Sequence, residues 1–261
     1  MDLKLDGKNA VVCGSTQGIG KAAAYELALL GADITLIARD EKKLKAVAKD
    51  LPTPLGQKHD YLVADFNFPD QLQSGLEKHF SRETFHILVN NTGGPPPGAV
   101  FDAKSDEFIK AFTNHLLCNQ VLVQQLVPGM KKSQYGRIIN IVSTSVKIPV
   151  RGLGVSNTIR GAVANWAKTL SFELAPFGIT VNNILPGAIM TGRLEALMKN
   201  RAKKGVKTVE DVRKEMIAEI PAGRIGEPAE AAAAIAFLAS PAAAYINGVS
   251  IPVDGGRTGS I

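Results

Sequence analysis

Short apolar runs and longer amphipathic segments alternate along almost the whole chain. The runs "NAVVCG", "DITLIAR", "YLVADF", "HILVNN", "RIINIVS", "ITVNNILPG" and "GVSIPVD" are rich in β-branched residues. Strands that read as near-continuous hydrophobic runs are buried on both faces, as in parallel sheets. Between them, apolar residues return every three or four positions. That period predicts helices over 19–30, 41–51, 69–80, 105–131, 156–175 and 228–239. No linker and no internal repeat divides the series. The pattern therefore predicts an α/β protein with a seven-stranded parallel sheet, helices on both faces and one domain over 1–261.

Two stretches break the rhythm. "NTGGPPPGAVF", residues 91–101, sets three consecutive prolines just past the fourth strand. They stiffen the chain, either as a plain rigid connection or as a wall over a ligand. Residues 189–220 form an insertion after the sixth strand, expected as one or two helices standing off the sheet like a lid.

Composition changes this picture little. The 261 residues are 45% hydrophobic, and a chain of this length buries a large core without cross-links. Its two cysteines, Cys13 and Cys118, lie far apart without metal-ligand spacing and read as reduced core residues of a cytosolic protein. The four histidines show no ligand pattern, so no metal is expected. The opening "MDLKLDGKNAVV" lacks an apolar signal run, and no apolar run is long enough to span a bilayer, so the expected location is the cytoplasm. The net charge of +6 comes without a nucleic-acid recognition motif, so neither nucleic acid nor membrane is an expected partner. Lys199, Arg201, Lys203, Lys204 and Lys207 stand together in the insertion without an acid among them. They make either a solvated helix face or a lid that draws in an anionic substrate.

Candidate chemistry begins at "GSTQGIG". Gly14, Gly18 and Gly20 fall between the first strand and first helix, where glycine permits a tight turn and close approach of backbone to phosphate. The second strand ends "LIARD". Ala38 stands where an acid would accept a ribose 2′-hydroxyl, whereas Arg39 would welcome a 2′-phosphate. This favours NADP(H) over NAD(H), unless Arg39 merely pairs with Asp40. Asp65, after the third strand, is placed either to bind an adenine amino group or to cap the next helix.

"GSTQGIG", "NNTG", "RIINIVS", "VNNILPGAIMT", "GRIGEPAE" and "NGVSIPVDGG" follow one another in the order found in the short-chain dehydrogenase/reductase family. The chain resembles that family, and within it the β-ketoacyl-carrier-protein-reductase-like members, from about residue 4 to 257. The resemblance implies a single-domain, doubly wound Rossmann fold that binds NAD(P)(H), and a dimer or tetramer built on two long helices. Broad apolar surfaces over 106–130 and 156–175 agree with that assembly. It also implies cofactor contacts from Gly14, Ser15, Gly18, Ile19 and Gly20, from Asp65 and Phe66, from Asn91 and Gly93, and from Pro186, Gly187, Ile189 and Thr191.

At the chemistry the sequence departs from the family. Ser143 matches the family's serine. Thirteen residues on, Ser156 stands at the family's tyrosine position, and four further Arg160 stands at its lysine position. His115 falls at the position of the family's helix asparagine, with Asn114 beside it. A tyrosine with a pKa of about 10, lowered by a neighbouring cation, can trade a proton as hydride moves; a serine hydroxyl is shorter and far less acidic. Arginine keeps a cation and donors for a ribose hydroxyl but releases no proton. Of the residues nearby, His115 has the reference pKa suited to acid–base work, with a plain structural role as the alternative. A water held by Ser143 and Ser156 is the other proton source. The expected activity is hydride transfer to a carbonyl of a small molecule or acyl thioester. The rival is a nucleotide-binding homologue without redox activity, acting as partner subunit or sensor.

Overall fold

The computed structural model of the chain describes residues 1–79 and 84–260. Its elements follow the expected alternation: β1 (Asn9–Cys13), α1 (Gly18–Leu29), β2 (Asp33–Ala38), α2 (Glu41–Asp50), β3 (Asp60–Val63), α3 (Pro69–His79), β4 (Ile87–Asn90), α4 (Ser105–Phe112), α5 (Cys118–Ser133), β5 (Gly136–Ile141), α6 (Gly154–Leu174), β6 (Ile179–Pro186), α7 (Gly192–Gly205), α8 (Val209–Ala218), α9 (Pro228–Ala239) and β7 (Ser250–Val253). Phe80, expected to end the third helix, lies outside the described residues.

All seven strands are parallel, in the order β3-β2-β1-β4-β5-β6-β7. The chain starts in the middle of the sheet, steps outward to β3, then crosses back to lay β4 beside β1. The crevice at that reversal is where open α/β sheets bind ligands. Pleating sorts the strand residues between two cores. Ala10 and Val12 join α1, α2 and α9 on one face; Val11 and Cys13 join α3, α5 and α6 on the other. All six residues of β5 are buried, in keeping with its largely apolar run.

The buried asparagines of β4, β5 and β6 break that apolar pattern. Asn90, Asn140, Asn183 and Ser250 are in register on four adjacent strands. Asn90 Nδ2 donates to Asn140 Oδ1 at 2.9 Å, Asn140 Nδ2 to Asn183 Oδ1 at 3.0 Å, and Asn183 Nδ2 to Ser250 Oγ at 3.1 Å. This polar ladder crosses the sheet inside the core.

Two expectations are refined. The segment expected as one helix over 105–131 is α4 and α5 joined through a π-helical turn, Thr113–Leu117. A π turn inserts an extra residue and re-aims the side chains around it, here Asn114 and His115. The insertion resolves into two helices, α7 and α8. Leu194, Met198, Ala202, Val212 and Met216 pack between them in a small core of their own. Thr191 Oγ1 accepts the Leu194 N–H to start α7, and Thr208 and Asp211 cap α8 reciprocally.

Candidate functional site

The turn after β1 carries glycine at the positions where a side chain would collide with its neighbours. Gly14 has φ +58°, and a Cβ on it would lie 2.7 Å from Asn91 Nδ2. A Cβ on Gly20 would lie 2.3 Å from the Gly14 carbonyl oxygen. Asn91 Nδ2 donates to the Cys13 and Gly14 carbonyls, both at 3.3 Å, and so fastens the turn to the end of β4. Ser15 is fully buried, and its Oγ donates to the Ile37 carbonyl. Gln17 precedes α1 without capping it, and the first turn, which includes Ile19, carries no acid, so its N–H groups are free for an anion. Thr191 packs over Gly18, where a Cβ would meet its methyl at 3.1 Å. A bare turn, an uncapped helix start and a hydroxyl above them fit the pyrophosphate of a dinucleotide.

Arg39 is exposed just past β2. Asp40 does not pair with it: that carboxylate caps α2 at the Lys43 N–H (3.0 Å) and pairs with Lys43 Nζ at 3.2 Å. Asp65 Oδ1 accepts from the Asn67 backbone N–H and from Asn67 Nδ2, so it shapes a turn and does not cap α3. Phe66 is buried, and its carbonyl accepts from Cys118 Sγ. Both cysteines are free and buried; burial pushes the Cys118 thiol up to about 12 and raises Cys13 as well. Gly93 faces open space. Pro186 ends β6, Gly187 packs on Asp254, and Ile189 is buried.

The four residues expected to carry chemistry gather beyond this cradle. Ser143 follows β5 and its Oγ accepts the Ser145 N–H at 3.1 Å. Ser156 is buried in the first turn of α6, and Arg160 is buried one turn later. Arg160 Nη1 donates to the Ile141 carbonyl at 2.6 Å, two residues before Ser143. Its guanidinium has no carboxylate partner among the described residues; burial, then the charge of Arg193, pull it down to about 10. His115 is 2% exposed on the π turn, with a hydrogen bond to the Gly93 backbone and no partner at Nε2. Burial, reinforced by Arg160 and Arg193, pulls its pKa down to about 2. This corrects the expectation of a histidine titrating near neutrality. At neutral pH His115 is an uncharged imidazole whose free nitrogen accepts a hydrogen bond. No tyrosine replaces it as an acid: Tyr135 and Tyr61 bond to Ala239 O and Glu41, and Tyr25 and Tyr245 are exposed.

Arg193 was not singled out by the sequence. From the first turn of α7 it reaches across the cleft, Nη1 donating to Gly94 O at 2.7 Å and Nη2 to Pro95 O at 3.1 Å. The proline stretch is thus tied on one side to α7 and on the other to the approach of α6 through Gly98 and Leu153. The signal available was position alone, two residues past Thr191. In the basic cluster of the insertion, Lys199, Arg201, Lys203, Lys204 and Lys207 are all exposed, and Lys207 is paired with Glu215. Among the described residues no group of three His, Cys, Asp or Glu could hold a metal, and no helix is long and apolar enough to cross a membrane.

Comparison with known proteins places this geometry in company. Residues 14–258 match a family model described as enoyl-(acyl carrier protein) reductase. The chain is 34% identical to the 3-oxoacyl-[acyl-carrier-protein] reductase FabG of Haemophilus influenzae, covering 97% of this chain and 98% of that one. It is 30% identical to the NADPH-dependent reductase BacG of Bacillus subtilis, covering 97% and 99%. Among solved structures, L-sorbose reductase from Gluconobacter frateurii, complexed with NADPH and L-sorbose, superposes with a TM-score of 0.93 at 30% identity over the full length of both chains.

Proposed function

Since the chain belongs to the short-chain dehydrogenase/reductase family, we propose that it is an NADP(H)-dependent oxidoreductase acting on a carbonyl or hydroxyl group through an atypical proton-donor site. The observation that carries this reading is the juxtaposition of the bare Gly14–Gly20 turn with Ser143, Ser156 and Arg160 at the same end of the sheet. Gly14, Ser15, Gly18, Ile19 and Gly20 hold the pyrophosphate on the N–H groups of α1. Arg39 meets the 2′-phosphate, Asp65 and Phe66 border the adenine, and Asn91 and Gly93 line the crevice. Pro186, Gly187, Ile189 and Thr191 lie on the nicotinamide side, with the two-helix insertion as a lid.

When bound, the nicotinamide supplies the hydride. Ser143 hydrogen-bonds the substrate oxygen. Arg160 spends one N–H on Ile141 O and keeps others for a ribose hydroxyl. His115, uncharged, accepts a hydrogen bond at Nε2 and does not act as the acid. The proton then comes from a water held between Ser143 and Ser156. The substrate is a small molecule or an acyl thioester, as it is for the relatives' printed activities. We place the protein in the cytoplasm as a dimer or tetramer. The second reading, a homologue without redox activity, draws support from Ser156, whose short buried hydroxyl offers no acid.

The test is a titration with NADPH and NADH, followed by NADPH consumption across a broad carbonyl panel. NADPH should bind at least several-fold tighter, and Arg39→Ala should remove most of that difference. Equal affinities would refute the 2′-phosphate role. Tight binding without turnover on any carbonyl would establish the second reading instead.

A further inference from the structure

Arg160 and Arg193 bring two guanidinium groups to one cleft without a counter-charge. Neither is within 4 Å of a carboxylate among the described residues, and each donates only to neutral backbone carbonyls. The surrounding chain supplies no acid: between Glu107 and Glu195 the single acidic residue is Glu173. It sits thirteen residues past Arg160, roughly 20 Å away along α6. A buried cation such as Arg160 is ordinarily paired. The same cleft holds an unpartnered acceptor, His115 Nε2, on a side chain 2% exposed. His115 bonds the backbone of Gly93 and Arg193 that of Gly94, so the two side chains converge on adjacent residues. Arg193 remains largely open to solvent and uses two of its five N–H donors.

We propose that the substrate carries a carboxylate as well as its reactive carbonyl, and that Arg193 selects it. This rests on the reductase reading above. A short oxo acid would set its carbonyl at Ser143 and its carboxylate on the open donors of Arg193, supplying the charge that the cleft lacks. The pyrophosphate of the cofactor is an oxyanion too. The geometry favours the substrate, because Arg193 is bound to Gly94 and Pro95, next to the Gly93 that His115 bonds, and not to the Gly14–Gly20 turn.

Calorimetry with 2-oxobutyrate and acetoacetate against their methyl esters, run with and without NADPH, tests this. The acids should bind at least about tenfold tighter than the esters, as charge-assisted bonds require. Arg193→Gln should erase that ratio while NADPH affinity stays within about twofold, and Arg193→Lys should keep part of it. Acids and esters binding alike in the unaltered protein, or no acid binding at millimolar concentration, would overturn the proposal. So would Arg193→Gln weakening acids and esters equally, which marks a mere strap, or weakening NADPH with the ratio intact, which assigns the guanidinium to the pyrophosphate. Absence of NADPH binding would instead strike the reductase reading, while the acid–ester comparison without nucleotide still decides this one.

Discussion

A buried histidine held neutral makes stability depend on pH in a definite direction. His115 has a pKa of about 2 in the fold and an ordinary value of about 6.5 in the unfolded chain. Between those values the unfolded chain takes up a proton that the fold refuses. Stability is therefore highest above pH 6.5 and falls as pH drops, approaching about 1.4 kcal/mol per pH unit. From pH 7 to pH 5 His115 alone should cost about 2 kcal/mol, and His115→Asn should flatten that slope in urea denaturation. Parallel slopes for the two proteins would show that His115 is protonated in the fold. Ser156 makes the companion case for chemistry. If it helps hold the proton-donating water, Ser156→Ala should lower kcat by about 10²-fold or more and leave NADPH affinity unchanged. Ser156→Tyr combined with Arg160→Lys should damage the native reaction while raising reduction of simple ketones. An unchanged native kcat in Ser156→Ala would remove Ser156 from the mechanism. The glycines at 14, 18 and 20 were legible beforehand, because they stand between a strand pattern and a helix pattern, where a tight turn is needed. The pKa of His115 was not, since it depends on burial and on Arg193, which approaches from a distant segment.

Helices and strands were legible wherever burial was uniform. β5 and β6 announce themselves as apolar runs, and α1, α2 and α9 end within a residue of their expected bounds. The π turn in the middle of the α4–α5 segment was hidden, since its one-residue insertion leaves no mark in a 3.6-residue period. The asparagine ladder was hidden for the opposite reason: "RIINI" and "TVNNI" look like strands with polar blemishes until the register aligns them. Asn140 is the middle rung, donating to Asn183 and accepting from Asn90. Asn140→Leu would strand both neighbours in the core and should cost about 2–4 kcal/mol in chemical denaturation. Replacing Asn90, Asn140 and Asn183 together by valine should cost less than the sum of the single changes, since no amide is then left without a partner. Additive losses would show that the rungs act independently.

At the scale of the whole molecule, the helices on one side present apolar residues to solvent. Ile109, Phe112 and Leu117 along the α4–α5 segment and Phe172 on α6 are exposed, Phe172 by 68%. Such a surface is suited to a second copy of the chain. Light scattering at micromolar concentration should give a dimer or tetramer mass, and Phe172→Glu should shift it downward. A monomer mass for the unaltered chain would rule the assembly out.

The insertion has a different relation to the rest. Because α7 and α8 bury their apolar residues largely against each other, changes within that small core leave both faces of the sheet covered. Arg193 ties the insertion to the proline stretch at Gly94 and Pro95. Substitutions inside the insertion should therefore change how Arg193 is presented at Gly94 and Pro95 while the two large cores keep their stability.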